Sequence, residues 1–212
     1  MNAQTERFTI AGPAGALEVA RDAASGEVRR GVAVIAHPHP QFGGTLDNKV
    51  VQTVARAFVL CGWDALRFNF RGIGASEGDY DNGLGEQADM LAVVAHATAD
   101  AQPAPALALA GFSFGSYVCS HVAVALAEKF AIEKIVFVGT AASRFEVATL
   151  PAALHERALV VHGEHDDTVP LAAVLDWARP QSLPVTVVPG GGHFFHGQLP
   201  LLKQLVVRHL RA

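Results

Sequence analysis

The chain has 212 residues, 50% of them hydrophobic and 17% charged, with a formal net charge of −4. Soluble chains average about 25% charged residues, so this one is rich enough in apolar side chains to build a core. That excludes disorder as its main state and fits one domain over residues 1–212. The acidic balance, with no Lys/Arg run longer than Arg29-Arg30, argues against a nucleic-acid partner and against a polybasic membrane patch.

The segment from Met1 to Phe8 is polar and lacks the apolar stretch of a secretory signal, and no run approaches the 18 or so apolar residues of a membrane span. Cys61 and Cys119 are too few for a disulfide framework, and both sit in periodic apolar segments where buried free thiols are expected. A soluble cytoplasmic protein is the expectation.

Glu6–Ile10 and Ala16–Arg21 read as two strands of a hairpin, separated by the turn composition Gly12-Pro13-Ala14-Gly15. Gly31–Ala36 is a continuous β-branched and small apolar run, the pattern of a strand buried on both faces. Asn48–Gly62 spaces Val50, Val51, Val54, Ala57, Phe58 and Cys61 at helical intervals and stops at a glycine. A strand over Asp64–Phe70 and a helix over Gly85–Thr98 follow. Ala106–Gly111 is another buried strand, and Ser116–Phe130 a helix with Val118, Val122, Ala125 and Leu126 on one side. Strands at Lys134–Val138 and Leu159–His162, a helix at Leu171–Ala178 behind Pro170, a strand at Val185–Val188 and a helix at Leu199–Leu210 complete the chain. About eight strands alternate with five helices. This predicts an α/β fold, a mostly parallel sheet with helices on both faces and its ligand site at the carboxyl ends of the strands.

Gly111-Phe112-Ser113-Phe114-Gly115 lies between a predicted strand and a predicted helix, the context in which G-x-S-x-G presents a serine nucleophile. The glycines keep Cβ atoms out of a turn too tight to hold them. The helix N-terminus offers free N–H groups to a developing oxyanion. A serine needs a base, and His193, in the glycine loop Gly190-Gly191-Gly192 past the last strand, is favoured over His196, which starts or precedes the last helix so that its side chain should face away. An orienting acid is expected in His162-Gly163-Glu164-His165-Asp166-Asp167-Thr168-Val169-Pro170, where Glu164, Asp166 and Asp167 are candidates. The order serine, acid, histidine is that of the α/β-hydrolases.

From Phe8 to Leu210 the sequence resembles that family, carrying GFSFG, HGEHDDTVP and GGGHFF in order. The family's G-x-x-D-x-x-V-P pattern implies Asp166 as the acid, three residues after Gly163 and in register with Val169 and Pro170. His37-Pro38-His39-Pro40-Gln41-Phe42-Gly43-Gly44 and Asn69-Phe70-Arg71-Gly72-Ile73-Gly74-Ala75-Ser76 are similar to segments of small bacterial serine esterase-like members near the dienelactone hydrolases, which themselves carry Cys where this chain has Ser113. The resemblance implies that the N–H of Phe114 is one oxyanion donor. The second comes from the H-P-H-P loop, where Pro38 and Pro40 have no N–H. His39, Gln41 and Phe42 remain, and Gln41 is favoured by likeness to the dienelactone-type loop.

These readings point to a serine hydrolase of short-chain carboxylic esters, working through Ser113, Asp166 and His193 and an acyl-enzyme. It would need no cofactor or metal, and would act as a monomer or homodimer on a small acyl substrate. Thioester, lactone or peptide cleavage by the same groups, or a non-catalytic binding protein of the same fold, are the alternatives. A metal site built from His37, His39, His162, His165, Asp166, His193 and His196 would leave the serine turn unexplained. Gly72-x-Gly74 lacks a third glycine at dinucleotide-loop spacing. Gly139–Ala158 is too short for a cap domain. Phe42 and His39 are the expected pocket residues, with Phe112, Phe114, Phe145, Val147, Leu150, Leu154, Phe194 and Phe195 as further candidates to line it.

Overall fold

The alternation of buried strands and amphipathic helices produces one eight-stranded sheet in the order β1-β2-β4-β3-β5-β6-β7-β8. The structure, a computed structural model, describes residues 5–26, 28–99 and 105–212; the N-terminal segment read for a secretory signal lies outside these as far as Gln4. β1 (Glu6–Gly12) and β2 (Gly15–Asp22) form the hairpin. β2 also runs antiparallel to β4 (Trp63–Phe68), while β3 (Gly31–Ala36), β5 (Ala106–Phe112), β6 (Ile132–Val138), β7 (Ala158–Gly163) and β8 (Val185–Val188) extend the sheet in parallel.

Strand periodicity divides the apolar side chains between two cores. In β3, Val34 and Ala36 enter one core and Ala33 and Ile35 the other. The first lies beneath α2 (Leu84–Thr98), α3 (Phe114–Leu126) and α4 (Leu171–Ala178), the second beneath α1 (Lys49–Leu60) and α5 (Leu199–Arg211). Both faces being covered, the parallel strands have to be apolar throughout, which explains the low overall charge. β4 carries two buried charges, and both are paired: Asp64 with Arg21 at 2.6 Å and Arg67 with Asp22 at 3.0 Å.

The chain leaves β3 toward β4 in one direction along the sheet and continues from β5 toward β6 in the other. Right-handed crossovers therefore put α1 and α3 on opposite faces. The carboxyl ends of β3 and β5 flank the resulting crevice, the position expected of a ligand site.

Several element ends differ from the sequence expectation. β4 stops at Phe68 rather than Phe70, because the Asn69 side chain takes the Leu46 N–H (2.8 Å) and donates to Glu18 (2.7 Å), turning the chain out of the sheet. α3 begins at Phe114, directly on the serine turn, and ends at Leu126; Ala125, expected on its buried side, is exposed. Between β6 and β7 the only helical element is the 3₁₀ turn Ala152–Arg157, so no cap covers the crevice. Among the described residues no helix is long and apolar enough to cross a membrane. Cys61 and Cys119 are buried and free.

Candidate active site

β5 delivers Ser113 at its carboxyl end with φ 56° and ψ −117°, a left-handed backbone conformation that a residue with a Cβ adopts only under strain. The neighbouring glycines are obligatory in a measurable sense. A Cβ on Gly111 would lie 2.2 Å from the Gly115 carbonyl oxygen, and one on Gly115 would lie 2.4 Å from the Ala36 carbonyl oxygen. The turn is pinned from below. The Ser113 N–H donates to the Val138 carbonyl (2.8 Å), and the buried Ser116 hydroxyl donates to the Gly111 carbonyl (2.7 Å) while accepting the Val138 N–H (3.2 Å). Ser116 therefore holds the turn against β6, a role that nothing in its local sequence signals.

His193 reaches this serine from the loop after β8: its Nε2 lies 3.1 Å from Ser113 Oγ. Its Nδ1 lies 2.7 Å from Asp166 Oδ2. All three side chains are buried, with Ser113 the most accessible at 8%. Room for the imidazole depends on Gly139, where a Cβ would stand 3.2 Å from His193 Cε1, and Phe112 packs against the ring at 4.9 Å between centroids.

Asp166 is fixed in turn. Its Oδ1 accepts the N–H groups of Thr168 (2.9 Å) and Val169 (2.8 Å), leaving Oδ2 for His193. Burial pushes the carboxyl up, but the His193 hydrogen bond, the Val169 N–H and the neighbouring imidazoles outweigh it and hold the group below the usual carboxylate range. His162 stands behind the acid, with Nε2 2.9 Å from the Val169 carbonyl and 3.4 Å from Asp166 Oδ2, and its buried Nδ1 has no partner. Burial lowers its pKa, so the neutral Nε2–H form is the one that braces the acid loop.

The rival residues are placed elsewhere. Glu164 accepts the Gly190 N–H at 2.8 Å and so ties the acid loop to the histidine loop. Asp167 is exposed, and His196 is exposed against Phe194. The two loops approach so closely that a Cβ on Gly163 would meet the Gly191 carbonyl at 2.3 Å.

His37 has a structural role. Its Nε2 accepts the Phe70 N–H (3.0 Å), which puts its proton on Nδ1, 2.6 Å from the Pro38 carbonyl. Burial lowers its pKa to about 4. It thereby joins the loops after β3 and β4. The motif Asn69–Ser76 is structural too. Arg71 is buried and donates to both Asp89 oxygens (2.8 and 3.0 Å), and Ser76 donates to the Asn69 carbonyl (2.7 Å). Among the described residues no three His, Cys, Asp or Glu come together in a way that would hold a metal ion.

A cavity of about 340 Å³ opens beside Ser113 and His193. His39, Phe42, Phe114, Phe145 and Phe194 line it, with Arg144 and Thr168 as polar members. Phe42 is 79% exposed, a lip rather than a floor. Phe195, Val147, Leu150 and Leu154 belong to the cores instead.

Gln41 does not fit the donor role expected of it. It is exposed and does not line the cavity, and its N–H donates to the Nδ1 of His39 at 3.2 Å. The Phe42 N–H donates to the His39 carbonyl at 3.1 Å. Of the three candidates, only the His39 N–H has no acceptor among the described residues. The cause is a 3₁₀ turn at Pro40–Phe42, capped by the His39 side chain, which consumes the later N–H groups.

Comparison with solved structures places this fold among known proteins. Over its whole length the chain is similar to XC6422 of Xanthomonas campestris, a serine hydrolase without a lid, at 35% identity, with a TM-score of 0.88 and 95% of that chain covered. The chain belongs to the lidless α/β serine hydrolases. A second member, an α/β serine hydrolase homologue from Coxiella burnetii, is 39% identical over 97% of each chain, with a TM-score of 0.83. An uncharacterized protein of Rickettsia prowazekii, RP471, is 36% identical over 111 residues, which is 52% of this hydrolase but only 46% of that protein. The hydrolase spans about half the length of that relative. No family model matches the sequence.

Proposed function

We propose that this hydrolase cleaves small carboxylic esters through an acyl-enzyme on Ser113. The observation that carries the reading is the continuous hydrogen-bond chain from Ser113 through His193 to Asp166, at the edge of an open cavity. Ser113 Oγ bonds to the acyl carbon as His193 Nε2 takes its proton. Asp166 stabilises the imidazolium that forms. The N–H groups of Phe114, at the N-terminus of α3, and of His39 receive the oxyanion, each worth about 3 kcal/mol in the transition state. The carbon–oxygen bond to the alcohol then breaks and His193 protonates the leaving oxygen. Water, deprotonated by the same imidazole, releases the acid and returns the proton to Ser113.

The open, capless cavity favours short acyl groups, because nothing closes over a long chain to bury it. Turnover of p-nitrophenyl esters from two to sixteen carbons is the test. Activity is expected to be highest at the short end and to disappear in Ser113→Ala. Best activity on the longest chain, or full turnover by Ser113→Ala, would overturn the reading.

A further inference from the structure

We propose that the acyl group of the preferred ester carries a carboxylate, as in the half-ester of a short dicarboxylic acid, and that Arg144 selects it. The inference rests on the esterase reading above and adds a substrate class to it.

Arg144 lines the same cavity as Ser113 and is exposed. Its backbone is fixed by the tight turn after β6, where its N–H donates to the Ala141 carbonyl at 3.1 Å. Its guanidinium has no side-chain or carbonyl partner among the described residues. Every other arginine outside the last turn of α5 spends its N–H groups on a protein oxygen, as Arg71 does on Asp89 and Arg157 on the Ile132 carbonyl. Among the described residues no Asp or Glu lines the cavity. A chain with a net charge of −4 thus presents one uncompensated cation beside its nucleophile.

The side of the cavity follows from proton delivery. The leaving oxygen must lie within reach of His193, whose ring stands 5.1 Å from that of Phe194 and whose partner Asp166 holds the N–H groups of Thr168 and Val169. The acyl group extends along the other wall. There the rings of His39 and Phe145 stand 4.9 and 5.1 Å from Phe114, and Arg144 is next in chain to Phe145. Burial, and after it the Arg144 charge, lower the pKa of His39. An acyl group crossing that aromatic wall meets methylene-compatible surface first and a guanidinium afterwards. The planar fork of arginine pairs with a carboxylate through two parallel hydrogen bonds, a match that a neutral acyl chain cannot supply.

The test compares monomethyl succinate, glutarate and adipate with methyl butyrate, valerate and hexanoate by proton release in a pH-stat. Wild type, Arg144→Ala and Arg144→Glu are measured at low salt and in 0.5 M NaCl, and p-nitrophenyl acetate is assayed in each preparation. For at least one chain length, wild type is expected to favour the half-ester about tenfold in kcat/KM, mainly through KM, with the preference shrinking in salt. Arg144→Ala is expected to erase the ratio and Arg144→Glu to invert it. Wild type that cleaves p-nitrophenyl acetate without preferring any half-ester, or a ratio untouched by Arg144→Ala, would overturn this inference alone. Failure to cleave p-nitrophenyl acetate would instead remove the esterase reading beneath it.

Discussion

Replacing Asp166 by Asn changes one atom and leaves the volume nearly constant, yet the hydrogen bonds around it dictate a large effect. Two N–H groups, from Thr168 and Val169, converge on Oδ1 at 2.9 and 2.8 Å. In the Asp166→Asn variant the amide oxygen must take that place, because an amide nitrogen cannot accept. The NH2 group then occupies the Oδ2 position, 2.7 Å from His193 Nδ1. It donates there, so Nδ1 must become the acceptor and the imidazole proton moves to Nε2, facing Ser113 Oγ at 3.1 Å. A base that already holds a proton on that nitrogen cannot take the serine's. Locking the wrong tautomer costs about 10⁴ in kcat, roughly 5.4 kcal/mol of barrier. The assay is kcat and KM on p-nitrophenyl acetate at pH 7.5, with circular dichroism to establish that the variant is folded. Asp167→Asn is the companion measurement. Asp167 is exposed and makes one long contact, to the Thr168 hydroxyl at 3.4 Å, so its loss is expected to change kcat less than twofold. A folded Asp166→Asn protein within tenfold of wild type would refute the tautomer argument.

Two further outcomes are expected. Gly115→Ala forces a Cβ against the carbonyl oxygens of Ala36 (2.4 Å) and His37 (2.6 Å), both backbone atoms, so urea unfolding should register a loss of about 1–3 kcal/mol or more together with reduced turnover; a variant as stable and active as wild type would contradict the close approach. His37, held at about 4 against an ordinary 6.5, stays neutral in the fold while the unfolded chain takes up a proton, so its share of stability is complete above pH 6.5 and is lost as pH falls toward 4. That share is roughly 3 kcal/mol, and urea midpoints at pH 7 and pH 4 should fall further in wild type than in His37→Gln, equal falls being the contrary result.

The strand–helix alternation was legible because a sheet covered on both faces demands uninterrupted apolar strands, and GVAVIA and ALALAG are such runs. The serine turn was legible because Gly111, Ser113 and Gly115 stand within five residues; the reason for Gly111 is local, at the Gly115 carbonyl, whereas the reason for Gly115 lies in the distant carbonyls of Ala36 and His37. What was not legible depends on contacts distant in sequence. Asn69 and Phe70 continue the β4 pattern, and only the partners Leu46 and Glu18 show why the strand ends before them. Gln41 looked suited as an oxyanion donor until its N–H was found capped by the ring of His39. Ser116, Glu164 and His37 are ordinary residue types whose work lies in partners 22, 26 and 33 positions away. Arg144 carries no motif at all; it stands out only because, outside the last turn of α5, the other arginines have protein oxygens as partners and it has none among the described residues.

The central claim is that Ser113, driven by His193, is the nucleophile. Its most direct measurement is reaction of the intact protein with a fluorophosphonate, followed by peptide mass spectrometry. The account predicts one adduct, on the peptide carrying Ser113, formed rapidly in wild type and absent in Ser113→Ala. An unlabelled wild-type protein, or an adduct on any other residue, would contradict it.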